Sequence, residues 1–502
     1  MNRYTNWIMA AVLIMFMITG CRKIEDLQRN PNASDQASPK LLLTGIEYDM
    51  YDNPWSDYAY AHRMAQYMVL NFDYYGNQAY TWGAGSMYYG TLRNVERLDI
   101  EADKLGTNTV TRSYKAIGNF ARAWLYSRMT EQMGDLPLTE AMKAPEGVYF
   151  PKYDDQKSVF LQCLQWLEDA NTELESVINE NPATTVQGDI FYNGDVRKWR
   201  KAVNSLSLRI LISLSKKEGD ADLGLKARFN SIASNPDKYP LITDNSDNMQ
   251  MVYNTTDKTN NNPIWPDDSK FYVNRNVLGA TWVDLMTLNQ DPRIFKIASP
   301  APGIAEDPAN AFARFRGANT GAIQSEIQTQ TNLGLYATIN RDFWLKDANG
   351  VPAIQLGASE TAFNLAEGIN RGWTAGDAST HYTNGINQNM KFYGVAQQAI
   401  TDFLAQPGIV YKGDNADGLN QLLTQKYVAF FQNSGWQSYF NWRRTGVPGF
   451  DIGPANENGA TIPVRFSYPQ SEYTNNNANV KDAVQRQFAG SDTRNDEMWM
   501  IR

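Results

Sequence analysis

Apolar residues in this chain return every three or four positions, and no other feature constrains its fold as much. Ile117, Phe120, Ala121, Trp124, Leu125 and Met129 form one stripe; Trp199, Val203, Leu206, Ile210 and Leu214 form a second. Phe160, Leu164 and Leu167 form a third, with Cys163 on the same face as a small buried hydrophobe. A helix turns once in about 3.6 residues, so each stripe occupies one helix face. Such a face needs a neighbouring helix to cover it. The same reading predicts helices near 40–51, 57–70, 86–103, 360–371, 378–393 and 418–433. Strand-like alternation is scarce. The expected fold class is mostly α, with paired helices as a scaffold and long irregular loops between them.

Two stretches depart from this pattern. The segment from about 245 to 355 is rich in Asn, Thr, Gly, Pro and aromatics, with weak periodicity. The segment 71–90 has the same character. Loops longer than about 15 residues in a compact chain are usually functional or disordered. Trp265, Phe271, Tyr272, Trp282, Phe343 and Trp344 argue against disorder in the first. Aromatic rings beside short amides and carboxylates suit sugars, whose apolar faces stack on rings while Asn, Asp and Arg bracket the hydroxyls. They also suit peptides, whose backbone amides pair with Asn. The expected ligand contacts are Tyr74, Tyr75, Tyr80 and Trp82 with Asn71 and Asp73, and a second group of Trp265, Tyr272 and Trp282. The competing role for each ring is packing between helices.

Chemistry beyond binding finds little support. The net charge of −8 argues against a nucleic-acid partner. Two Cys exclude a disulfide framework, and two His leave little scope for zinc or general-base chemistry. HExxH, CxxC, Walker A and GxSxG motifs are absent. Asp414-Asn415-Ala416-Asp417-Gly418 misses the EF-hand register, where Thr424 stands in place of the closing Glu, and reads as a turn. His62 and His381 read as packing residues. A secreted hydrolase would need a catalytic pair, and nothing singles one out. No catalytic residue, metal or cofactor is therefore expected.

The N-terminus reads as an address. Arg3 precedes an apolar run from Trp7 to Ile18, too short for a bilayer core that needs roughly 20 residues. Gly20-Cys21 follows, and this resembles the bacterial lipoprotein signal, with Cys21 acylated as the first mature residue. Glu25-Asp26 resembles a surface-export signal of Bacteroidota lipoproteins. The expected organisation is a signal peptide at 1–20, a lipidated tether at 21–39 and a single domain at 40–502.

Ordered blocks along the body resemble one family. They include Gly134-Asp135-Leu136-Pro137, Pro151-Lys152-Tyr153-Asp154, Gly188-Asp189 running to Trp199, and Asp291-Pro292-Arg293. Ala366-Glu367-Gly368, Arg371-Gly372-Trp373, Trp442-Arg443-Arg444 and Tyr468-Pro469-Gln470-Ser471 follow. In this order, behind a lipoprotein signal, they are similar to SusD/RagB outer-membrane lipoproteins, in the branch with the Tyr-Pro-Gln-Ser motif. The stretch from Ala366 to Ile386 also resembles the small/aromatic grammar of tetratricopeptide helix pairs. The resemblance implies a mostly helical, tetratricopeptide-like scaffold that breaks no bond. It implies a surface lipoprotein held in outer-membrane lipid through Cys21, acting as the lid of a SusC-like TonB-dependent transporter. Its ligand would be an oligosaccharide, or for some members a peptide. The block residues read as structural, with Arg443 and Arg444 tying helices together.

Overall fold

The computed structural model describes residues 37–72, 78–266 and 275–502. Helices appear where the stripes place them. The first seven are α1 (Pro39–Met50), α2 (Ser56–Met64), α3 (Tyr89–Asp103), α4 (Thr109–Met133), α5 (Gln156–Glu180), α6 (Val196–Ser213) and α7 (Leu225–Ala233). The middle carries only short ones: α8 (Ala280–Leu288), α9 (Ile294–Ile297), α10 (Gln324–Asn332) and α11 (Arg341–Trp344). The last seven are α12 (Ala358–Asn370), α13 (Ala378–Phe392), α14 (Gln397–Leu404), α15 (Ala416–Ala429), α16 (Gln437–Thr445), α17 (Gln470–Asn475) and α18 (Asn477–Phe488). The fold is mostly α. The helix expected over 57–70 stops early, because Gln66 adopts φ +61° and the chain re-emerges as a strand.

The strands β1 (Met68–Leu70), β2 (Leu136–Pro137), β3 (Tyr153–Asp154), β4 (Met249–Met251), β5 (Asn276–Leu278), β6 (Ala298–Ser299), β7 (Thr338–Ile339) and β8 (Ala353–Leu356) are short. Among the described residues they form two-stranded antiparallel ladders, β1–β5, β2–β3, β4–β8 and β6–β7. They clip loops to the helices rather than build a layer.

Side-chain caps set where the long helices begin. Asn108 accepts from the Thr111 N–H at 3.0 Å to open α4, and Asp155 from the Ser158 N–H at 2.8 Å to open α5. Helices α3 to α6 then pack each on the next, and all three predicted stripes are buried between them. Helix α12 packs on α13, α15 and α6, which joins the C-terminal helices to the N-terminal group. A separate apolar cluster of Phe363, Tyr382, Ile386, Met390 and Leu422 fills that second region.

The sequence blocks are structural. Asp189 accepts from the N–H groups of Phe191, Tyr192 and Gly194 and, at 2.8 Å, from the Trp199 indole. Tyr468 donates its hydroxyl to the Asp135 carbonyl at 2.7 Å. Gly134 ends α4 at φ +100°, where an added Cβ would lie 2.0 Å from Gln487 Oε1. Arg443 donates to the Val464 carbonyl at 3.0 Å. Arg444 donates to Glu367 at 2.5 Å, and Arg371 lies 2.9 Å and Lys426 3.6 Å from the same carboxylate. Burial would raise the Glu367 carboxyl, but these three cations override it and hold it well below the usual carboxylate range. Burial lowers the Lys426 amine to about 8, against the pull of Glu367.

Removing one partner of such a buried cluster leaves charge uncompensated, so Arg444→Met should cost about 3–5 kcal/mol in urea unfolding. His62 gives a separate acid effect. It is 1% exposed, its ring nitrogens find no hydrogen-bond partner, and burial lowers its pKa to about 3. The unfolded chain therefore binds a proton below about pH 6.5 that the folded chain refuses, and stability falls from there toward pH 3. His62→Phe should keep stability at pH 7 and shrink the fall between pH 6.5 and 4; an unchanged pH profile would contradict this.

Candidate functional site

Two segments marked by their aromatics leave the scaffold side by side. In the β1–β5 ladder Met68 faces Leu278 and Leu70 faces Asn276. The pairing continues one step further, with the Asn71 N–H donating to the Arg275 carbonyl at 2.7 Å. The Arg275 guanidinium lies over the Phe72 ring, 5.0 Å from its centroid. Gln324 at the start of α10 donates to the Leu70 carbonyl at 2.8 Å. Residues 71 and 275, distant in sequence, thus flank one edge. Val69, Val277, Ala318, Ile327 and Tyr336 pack as a small core beneath it. Asp73, Tyr74, Tyr75 and Tyr272 lie outside the described residues, as does Cys21.

The other end of the ladder opens onto a groove of about 750 Å³. Its walls include Thr281, Asp284, Leu285 and Leu288 of α8, with Phe312 and Arg316 from the loop that follows β6. Gln66 fixes this end. Its amide donates to the Tyr80 hydroxyl and to the Asp451 carbonyl, both at 2.8 Å. Its carbonyl oxygen accepts from the Thr281 hydroxyl at 2.7 Å and from the Asp451 N–H at 2.9 Å. One fully buried side chain thereby uses both halves of its amide to tie three segments. Burial raises the Asp284 carboxyl and nearby Asp451 raises it further. The groove offers hydroxyl, carboxylate and guanidinium groups beside apolar rings, which is the equipment for holding a polyol.

Three expected ligand contacts are corrected. Trp82 is 5% exposed, stacks on Phe466 with ring centroids 5.4 Å apart, and donates its indole N–H to the Arg465 carbonyl at 2.9 Å. Tyr80 is buried and its hydroxyl is held by Gln66. Trp282 has no exposure, and its ring centroid lies 4.6 Å from that of Phe431. These rings fill gaps between elements, where burying a large apolar surface stabilises the fold. Trp265 is half-buried, with its N–H donating to the Asn262 carbonyl at 2.9 Å. Asn71 is half-buried at the joined edge. On α8 the expected ring lies on the face turned away from the groove. Trp282, Val283 and Met286 turn inward, while Thr281, Asp284, Leu285 and Leu288 line the groove.

The paired ladder and the helical frame match a known architecture. The model of the SusD-like family "starch-binding associating with outer membrane" matches residues 31–469. The chain belongs to that family. SusD-like proteins are non-catalytic binding proteins associated with the outer membrane, with a mostly helical fold containing tetratricopeptide pairs. A SusD homolog from Bacteroides fragilis shares 28% identity with a TM-score of 0.84, covering 93% of this chain and 100% of its own. An outer-membrane protein of Bacteroides vulgatus linked to nutrient binding shares 30% identity with a TM-score of 0.81, again over 93% and 100%. A chitin-binding SusD homolog from Flavobacterium johnsoniae has a TM-score of 0.73 at 20% identity, over 92% of this chain and 98% of its own. Comparison with curated proteins gave no match. Among the described residues of this SusD-like chain, no group of three or more His, Cys, Asp or Glu side chains is placed to hold a metal. No helix among them is long and apolar enough to cross a membrane.

Because Trp282 packs rather than binds, Trp282→Ala should lower stability by about 3–5 kcal/mol. Asp284→Asn, on the exposed side of the same helix, should leave the thermal midpoint within about 2 °C, since surface changes fall within roughly ±0.5 kcal/mol. Differential scanning calorimetry of both variants separates the two faces.

Proposed function

We propose that this SusD-like protein is a surface lipoprotein that captures oligosaccharides and closes as a lid over a SusC-like TonB-dependent transporter. Acylated Cys21 would hold it to the outer membrane, residues 22–39 would space the body from the lipid, and 40–502 would form one working domain. The observation that carries this reading is the Asn71–Arg275 hydrogen bond at 2.7 Å. It brings Asn71, from one aromatic-rich segment, beside Arg275, from the other; the ligand contacts this reading assigns are Asn71, Asp73, Tyr74, Tyr75, Trp265 and Tyr272. The α8 groove, at the other end of the ladder, adds Thr281, Asp284 and Arg316 as hydrogen-bonding groups. The relative from Bacteroides vulgatus supports a nutrient ligand, and the chitin-binding one from Flavobacterium johnsoniae favours a glycan as that nutrient. Ligand contact with both lid and barrel would favour the closed state by its differential affinity for that state.

Calorimetric titration with maltohexaose, chitohexaose and a tryptic peptide digest tests the ligand class. Saturable binding to a glycan, weakened roughly ten-fold in a Tyr74→Ala/Tyr75→Ala double variant, is the expected result, since each stacked ring is worth about 0.5–1.5 kcal/mol. Binding to the peptides alone would replace the glycan with a peptide nutrient. Cys21→Ser should move the protein out of the outer-membrane fraction, and its retention there would remove the lipid anchor.

A further inference from the structure

A second groove, of about 640 Å³, lies where α3, the segment from Pro137 to Pro151 and α17 meet. Two sequence blocks, Gly134–Ala141 and Tyr468–Tyr473, frame it. Helix α3 contributes Arg93, Glu96, Arg97 and Ile100, spaced so that they share one helix face. The opposing segment carries Tyr149 and Phe150, which are 70% and 66% exposed.

Their backbone is nonetheless tied down. Asn479 donates to the Phe150 carbonyl at 2.9 Å and Asn476 to the Pro151 carbonyl at 2.8 Å. The Lys152 N–H donates to Glu140 at 2.9 Å, and the Tyr153 hydroxyl to Glu472 at 2.6 Å. The Tyr89 hydroxyl donates to the Pro137 carbonyl at 2.7 Å. The wall is therefore built before any ligand arrives, which lowers the ordering cost of binding. A large exposed ring on a fixed backbone contributes little to folding. With Ile100, itself 52% exposed on the facing helix, Tyr149 gives the groove exposed apolar surface on both walls.

The lining defines the ligand. Two guanidinium groups and three carboxylates, from Arg93, Arg97, Glu96, Glu140 and Glu472, share the groove. This mixture favours neither a strongly anionic nor a strongly cationic guest. Donors and acceptors beside an exposed phenol ring match a neutral molecule with hydroxyl edges and an apolar face. We infer that this groove is a second oligosaccharide subsite, with Tyr149 as the stacking platform and Arg93 and Glu96 as hydrogen-bonding partners. The inference rests on the glycan reading above and adds a second point of capture to it. Two sites on one chain raise the effective concentration of a long glycan at the first once it is held at the second.

The protein, extracted from outer membranes in a detergent without a sugar head group, would be titrated with maltohexaose and with chitohexaose. The same titrations would follow on Tyr149→Ala, Tyr149→Phe, Arg93→Ala and the Tyr74→Ala/Tyr75→Ala double variant. The expected result is a binding event with at least one probe that Tyr149→Ala weakens about five-fold or more and Arg93→Ala also weakens. Tyr149→Phe, which keeps the stacking face, should restore it to within about two-fold. Isotherms with both probes that Tyr149→Ala leaves unchanged, including flat ones, would overturn the subsite. A binding event lost in Tyr74→Ala/Tyr75→Ala but indifferent to Tyr149 sinks the second site alone. An event that depends on Tyr149 alone would sink the first face and keep the second.

Discussion

A carboxylate with no exposure to water must be neutralised where it lies, and Glu367 meets this demand through cations from three helices. Arg371 is the C-cap of Glu367's own helix α12, Lys426 comes from α15 and Arg444 from α16. Two turns of α12 earlier, Glu360 takes the Arg209 guanidinium of α6 at 2.6 Å, and Arg209 also donates to the Gln355 carbonyl of β8. Apolar stripes leave helices free to slide along one another. These ion pairs do not, because a shift of one turn would strand a buried charge. The register of α6, α12, α15 and α16 is thus set electrostatically inside a core that hydrophobic burial holds together.

A scaffold fixed in this way leaves its loops to serve binding. The ladders of two to four residues are too short to form a sheet, but each pins one loop end at a defined place. Gln66 does similar work with a single side chain, joining the end of α2, the segment at Tyr80 and the turn at Asp451. Beneath the proposed ligand edge, the small core of Val69, Val277, Ala318, Ile327 and Tyr336 supplements what the helical frame fixes. A protein that only binds and releases has no need of a catalytic pair on such a frame, in keeping with a family of non-catalytic members.

Much of the frame was legible because period carries its own proof. Positions 117 to 129 and 199 to 214 recur at helical spacing, and every one of the named apolar residues is buried. The blocks around Asp135, Asp189, Glu367 and Arg444 were legible as structural, since each combines a turn residue with a charge that must find a partner. For the proposed ligand edge the sequence offers segments rather than side chains. Tryptophan serves both cores and sugar sites, and residue type alone cannot tell which way Trp82 or Trp282 turns. The pattern Thr281, Asp284, Leu285, Leu288 against Trp282, Val283, Met286 held the answer for α8, but nine residues give a weak period. The strand at Met68–Leu70 was hidden because its partner lies some two hundred residues away, and pairing at that distance leaves no local mark.

The burial of the indoles has a spectroscopic consequence. Trp55, Trp82, Trp124, Trp199, Trp282, Trp344 and Trp373 are all at or below 5% exposure. Their emission reports the dryness of the interior, so it will be blue-shifted in the folded protein and move red on unfolding. A sugar settling on a tyrosine at the rim would leave most of that light untouched. In this molecule intrinsic fluorescence is a thermometer of the core, and a flat optical titration describes the scaffold rather than the guest.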